Sequence, residues 1–237
     1  MKPESARTWH DRQVLVAGAD GRRGGWVVAT VDVASGHQVT PARLVSLDYL
    51  AQLAPLLAEG LSVIAIDMPI GLGTTSSRDC DVAARKLLRP HGSRVFPAPP
   101  RTALPHVDDY DAACRAATDA TGKSLSKQTW NLFRSIAEVD ELADDERLVE
   151  CHPEVAFALM QGHPVDERKK TAEGRARRLD LLRRWLPELT DPAYGDDGLD
   201  ALACAWSAAR IAHGVSITLP AGEVPRDSRD RPMRICA

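Results

Sequence analysis

The sequence predicts an α/β fold: a mixed sheet of three antiparallel strands followed by parallel strands, flanked by helices and carrying a helical insertion. Three observations predict it. Valine-rich runs follow one another over short links between Val14 and Val45, as in an antiparallel meander. A strand–helix–strand order comes next, through Leu47–Leu57 to Val63–Ile66, which calls for a crossover onto a parallel strand. Acidic residues stand where elements change type, at Asp20, Asp67, Glu150 and the pair Asp197 and Asp200.

Val14 to Ala19 reads as a buried strand that Asp20 ends, running into a turn at Gly21. Trp26 to Val33 is the second strand, Ser35-Gly36 a turn, and Val39 to Val45 the third strand. Leu47, Leu50, Leu53 and Leu57 fall at helical spacing, with Pro55 distorting the helix and Gly60 ending it. Val63 to Ile66 is the next buried strand, closed by Asp67-Met68-Pro69. An insertion runs from about Gly71 to Asp145. It holds helix candidates at Arg78–Leu88, Tyr110–Ala120 and Ser126–Leu142, and a proline-rich loop at Phe96–Pro105. Trp130, Phe133, Ile136 and Val139 keep one face of the last helix apolar. Arg147 to Cys151 is a short strand, Val155 to Met160 a helix, and Lys169 to Trp185 a basic helix. An alanine-rich helix opens at Asp196 and reaches His213, capped by Gly214. Val215 to Leu219 is a last apolar run. Residues 1–13 are expected as a flexible N-terminus and 14–237 as a single domain.

With 237 residues, 44% of them apolar, the chain can bury a sizeable core. Its net charge of −3 gives no global pull toward polyanions, so such a partner needs a local basic patch. The five cysteines are an odd number, widely spread and without a C-x-x-C pair, which argues against a disulfide framework and a cysteine zinc site. Reduced thiols, a polar N-terminus and the lack of a long apolar stretch lead to a cytoplasmic expectation, with no membrane partner.

The acidic positions carry the chemistry. Asp197 and Asp200 are three residues apart and share a helix face. Carboxylates gathered at one end of a sheet repel one another unless a cation neutralises them, and Mg²⁺ or Mn²⁺ suits oxygen ligands. Structural roles fit the same residues: Asp196 or Asp197 as a helix N-cap, Asp20 as a turn residue, Asp67 as a turn cap. His152 stands between Glu150 and Glu154 without any paired metal-ligand spacing. Lys127 and Gln128 belong to a polar run at a helix start, where Lys127 can reach a phosphate. Lys169, Lys170 and the arginines to Arg184 form the one dense basic region, either a solvated face or a surface for a nucleic-acid backbone.

Six ordered motifs resemble domain-of-unknown-function family 429. They are G-A-D-G-R-R-G-G-W (Gly18–Trp26), A-I-D-M-P-I-G-L (Ala65–Leu72), V-F-P-A-P-P-R (Val95–Arg101), S-L-S-K-Q-T-W (Ser124–Trp130), E-C-H-P-E (Glu150–Glu154) and D-D-G-L-D-A-L-A (Asp196–Ala203). The resemblance implies a ribonuclease H-like fold, since the family's members are described as predicted nucleases of that fold. The chain is also distantly similar to Holliday-junction resolvases, in which an acid ends the first strand, another ends the fourth, and D-x-x-D-A-L-A opens a helix. By position this implies metal-ligand roles for Asp20, Asp67, Asp197 and Asp200. Asp67 is shorter than the glutamate of the resolvases, and Glu150 has no counterpart there.

The expected function is metal-dependent phosphodiester hydrolysis of nucleic acid, DNA or RNA. Asp20 bridges two Mg²⁺ or Mn²⁺ ions, Asp67, Asp197 and Asp200 complete the ligand set, and Glu150 or His152 orients water. Arg101, Lys127, Gln128, His152, Lys169 and Lys170 bind the substrate. A phosphotransferase of the actin and sugar-kinase superfamily and a non-catalytic nucleic-acid-binding module are the alternatives, and a homodimer is left open.

Overall fold

The structure, a computed structural model, describes residues 14–33, 42–58, 60–74 and 77–237. The expected flexible N-terminus, the Ser35-Gly36 turn and the start of the third strand lie outside the described residues. Val14–Arg22 (β1) and Gly25–Val33 (β2) form an antiparallel hairpin, with Val14 opposite Val33 and Arg22 opposite Gly25. Asp20 therefore lies inside the hairpin, opposite Val27, and the turn comes three residues later than expected, at Arg23-Gly24. Arg43–Leu47 (β3) pairs antiparallel with β2. A 3₁₀ turn at Leu50–Leu53 and a short helix, Ala54–Ala58 (α1), return the chain to Val63–Ile66 (β4). β4 lies parallel to β1, and Leu148–Glu150 (β5) lies parallel to β4. The order β3-β2-β1-β4-β5, antiparallel and then parallel, is the ribonuclease H-like arrangement that the motifs implied.

Side chains alternate across a strand, and this decides which groups can meet. Val16, Val27, Ala29, Val31 and Ala65 face one side, where three later helices cover them: Pro153–Gln161 (α6), Ala172–Arg183 (α7) and Gly195–Ala212 (α8). Ala17, Ala19, Trp26, Val28, Ile64 and Ile66 face the other side, under the insertion. Asp20 shares the parity of Val16 and Gly18, so it points to the α8 side. The approach of α8 is close. A Cβ on Gly18 would fall 2.0 Å from the Ala205 nitrogen and 2.1 Å from the Ala201 oxygen, so only glycine lets the helix seat there. Ala201, Ala205 and Ala208 continue the small, fully buried contact face.

The insertion consists of Asp79–Leu87 (α2), Tyr110–Thr121 (α3), Lys127–Trp130 (α4) and Phe133–Leu142 (α5), with 3₁₀ turns at Gly92–Arg94 and Arg101–His106. The single helix expected over Ser126–Leu142 breaks at Asn131-Leu132, and Ser126 caps its first piece by accepting the Thr129 N–H. Glu138 ties α5 to the sheet, accepting from Trp26 Nε1 at 2.9 Å and from the Leu50 N–H at 2.7 Å. The C-terminal chain adds a small antiparallel pair, Thr218–Leu219 (β6) with Ile235–Cys236 (β7), over a third apolar cluster with α2 and α6. All five cysteines are free. No helix among the described residues is long and apolar enough to cross a membrane.

Candidate active site

A cavity of about 760 Å³ opens between the C-terminal ends of β1 and β4, the head of α8, the α7 approach and the proline-rich loop. Asp20, Asp67, Asp197 and Asp200 all line it. Each arrives by a local rule. Asp20 follows Val16 and Gly18 on the α8 face of β1. Asp67 follows Ala65 on the same face of β4, its N–H donating to the Ala19 carbonyl at 3.0 Å. Asp197 and Asp200 occupy the first turns of α8, where an exposed N–H end favours negative charge. Neither Asp196 nor Asp197 caps that helix: the N-cap is Tyr194, in the left-handed region at φ 69°, with Arg22 of the β1 hairpin 5.7 Å over its ring.

The electrostatics favour a cation. Asp20 is 7% exposed, and its carboxylate makes no hydrogen bond or ion pair among the described residues. Burial, and then the charges of Asp200 and Asp67, push it well above the usual carboxylate range. Burial also raises Asp67 and Asp197, and lifts Asp200 to about 6 against the pull of Lys169. Lys169 Nζ donates to Asp200 Oδ2 at 2.8 Å. Burial works against its charge, but Asp200, Asp20 and Asp67 outweigh burial and hold the ammonium above its ordinary range. No three of the four aspartates bring carboxylate oxygens within 4.8 Å of one another, so they fit Mg²⁺ or Mn²⁺ as a site of few carboxylates completed by waters, with Asp20 and Asp67 as the groups left free to hold it.

Glu150 also lines the cavity, but its carboxylate is engaged apart from the aspartates. It pairs with Ile66, whose side chain faces the other side of the sheet. Both of its oxygens are committed: Oε1 accepts from Arg78 Nη2 at 2.6 Å, while Oε2 accepts from Arg78 Nη1 at 2.8 Å and the Ile70 N–H at 2.9 Å. Cys80, Asp81 and Glu150 bring ligand atoms within 4.8 Å of one another, but Arg78 already bridges Asp81 and Glu150 and supplies the cation.

The other expected residues divide. His152, Gln128, Lys169 and Lys170 line the cavity. His152 also caps α6, its Nδ1 accepting the Glu154 N–H at 3.2 Å. Arg101 is instead spent on Asp140, at 3.0 Å, and on Asp227, in a network that anchors the C-terminal segment. Lys127 lies 5.5 Å over the Tyr110 ring and is not among the lining residues. The basic helix is mostly paired internally. Arg178 is 1% exposed and grips Glu154, Arg177 donates to Gln161, and Arg175 meets Asp191 and Asp196. Sequence reasoning missed the second arginine on Glu154, Arg94, at 2.7 Å, which also lines the cavity. Its only signal was a charge directly ahead of the Val95–Arg101 motif.

No functionally curated protein matches the chain. Two solved structures are similar in architecture. T. thermophilus RuvC in complex with Holliday junction substrate shares 10% identity, with 84% of this chain and 97% of that chain covered and a TM-score of 0.41. The Thermus thermophilus RuvC structure shares 13%, with 85% and 98% covered and a TM-score of 0.40. The family described as "Protein of unknown function (DUF429)" matches residues 18–224, and with most of its length matched the chain belongs to the DUF429 family.

Proposed function

We infer that the protein is a divalent-metal-dependent phosphodiesterase that cleaves nucleic acid at the aspartate-lined cavity. One observation carries the reading: the Asp20 carboxylate is buried, unpartnered among the described residues, and set beside Asp67, Asp197 and Asp200. Burial and the charges of Asp200 and Asp67 disfavour its ionised form more than Lys169 offsets, and a cation beside it would relieve that cost, so it fits a cation site better than a structural one. Asp20 and Asp67 would hold the ion. When bound, Mg²⁺ or Mn²⁺ supplies Lewis acidity toward phosphate oxygens and water. The chain's own groups do the rest. Lys169 fixes Asp200 and offsets one negative charge. His152 accepts the Glu154 N–H on Nδ1, which puts the ring proton on Nε2, so Nε2–H can donate a hydrogen bond to a phosphate oxygen in the cavity. Arg168 and Lys170, which make no ion pair among the described residues, are placed to take a phosphate at the cavity wall.

The internal pairing of the α7 arginines favours a substrate whose reacting part enters the cavity, and a small phosphodiester is the second reading. The test is a cleavage screen over duplex, single-stranded, hybrid and branched nucleic acids and bis(p-nitrophenyl) phosphate, with Mg²⁺, Mn²⁺ or EDTA. Metal-dependent cleavage that Asp20→Asn abolishes is expected. Activity indifferent to EDTA or to Asp20→Asn, or no cleavage of any substrate, would overturn the reading.

A further inference from the structure

A cation already sits among the aspartates. Lys169 Nζ is 2.8 Å from Asp200 Oδ2, and its side chain is 44% exposed. The lysine is held there by its backbone. Thr171 caps α7 by accepting the Gly174 N–H at 3.1 Å, and its own N–H donates to the Arg168 carbonyl at 3.0 Å. Gly174 lies so close beneath this bend that a Cβ there would fall 2.0 Å from the Arg168 oxygen. The buried Arg178 closes the bend from below, donating to the Glu167 carbonyl at 3.2 Å and to Glu154 Oε1 at 2.6 Å. The segment carrying Lys169 is thus fastened at Glu167, Arg168 and Thr171.

Charge then limits what else the cavity takes. Four carboxylates and Lys169 sum to −3, so one divalent ion leaves the cluster at −1 and a second takes it to +1, and Arg168 and Lys170 on the cavity wall already supply further positive charge for an anionic substrate. Asp200 has given one oxygen to the lysine, whereas Asp20 and Asp67 have no hydrogen bond or ion pair to their carboxylates among the described residues.

Resting on the reading of the cavity as a metal site, we propose that Lys169 stands in for one of the two expected ions, so that the chain holds a single divalent cation, at Asp20 and Asp67. Lys169 is then a positioning residue that reserves Asp200 and sets the ion count.

Titration of the full chain with Mn²⁺, following free Mn²⁺ by electron paramagnetic resonance, tests this without reference to activity. One ion per chain is expected for the wild type and for Lys169→Arg, two for Lys169→Met, and a large loss of affinity for Asp20→Asn. Two ions in the wild type would overturn the proposal while leaving the metal site standing, and one ion in a folded Lys169→Met would do the same. No ion in the wild type would overturn the metal site itself. Circular dichroism checks that Lys169→Met folds, and the wild-type count decides the matter if it does not.

Discussion

Replacing Asp200 by asparagine should stabilise the metal-free protein at neutral pH. The Asp200 carboxyl is lifted from 3.8 to about 6, chiefly by burial, with Lys169 pulling the other way. Its proton is therefore held more tightly in the folded state. Below about pH 4 the group is protonated folded or unfolded and carries no penalty. The penalty grows as pH rises from 3.8 through about 6 and is complete above that. At ~1.36 kcal/mol per pH unit this amounts to about 3 kcal/mol. Asparagine removes it, and the loss of the Lys169 bond is already contained in that net shift. The expected net gain is about 3 kcal/mol at pH 8, or roughly 6–12 °C in Tm for a chain of this size. Thermal unfolding in EDTA at pH 8 and pH 4.5, followed by circular dichroism, reads both quantities. The gap should shrink markedly at the lower pH. A variant no more stable than wild type at pH 8, or a gap equal at both pH values, would refute the reasoning.

Arg78→Met leaves Asp81 and Glu150 buried without their cation and should cost about 3–5 kcal/mol in urea unfolding; a loss below about 1 kcal/mol would show that the network is slack. Gly18→Ala drives a methyl group into the α8 backbone and should destabilise by at least about 3 kcal/mol, or prevent soluble expression, and wild-type stability would contradict the close packing. If the protein binds nucleic acid, Lys170→Gln should flatten the slope of log affinity against log salt by about one, while Arg177→Gln, already bonded to Gln161, should leave it unchanged; equal effects would restore the α7 face as the binding surface.

The sheet was legible because its strands are short valine-rich runs with turn residues between them, and β4 was placed to the residue. Three of the acids were legible for a related reason: Asp20 and Asp67 follow apolar strands on the face that α8 covers, and Asp200 lies one turn into that helix. Glu150 looked equivalent because it too ends a strand, but strand parity sends it to the opposite face, and parity cannot be read until the partner strand is known. The role of the basic segment was illegible for another reason. Its charges are dense along the chain, yet their partners, Glu154, Gln161 and Asp191, come from elsewhere in the sequence. β7 escaped notice because two residues of strand in an arginine-rich tail carry no periodicity.

Anomalous diffraction from crystals soaked in Mn²⁺ tests the central claim most directly. One peak is expected within about 2.0–2.3 Å of Asp20 and Asp67 carboxylate oxygens, with Lys169 Nζ still on Asp200. A map without a peak at those aspartates, or with one at Cys80, Asp81 and Glu150 instead, would contradict an ion held by Asp20 and Asp67.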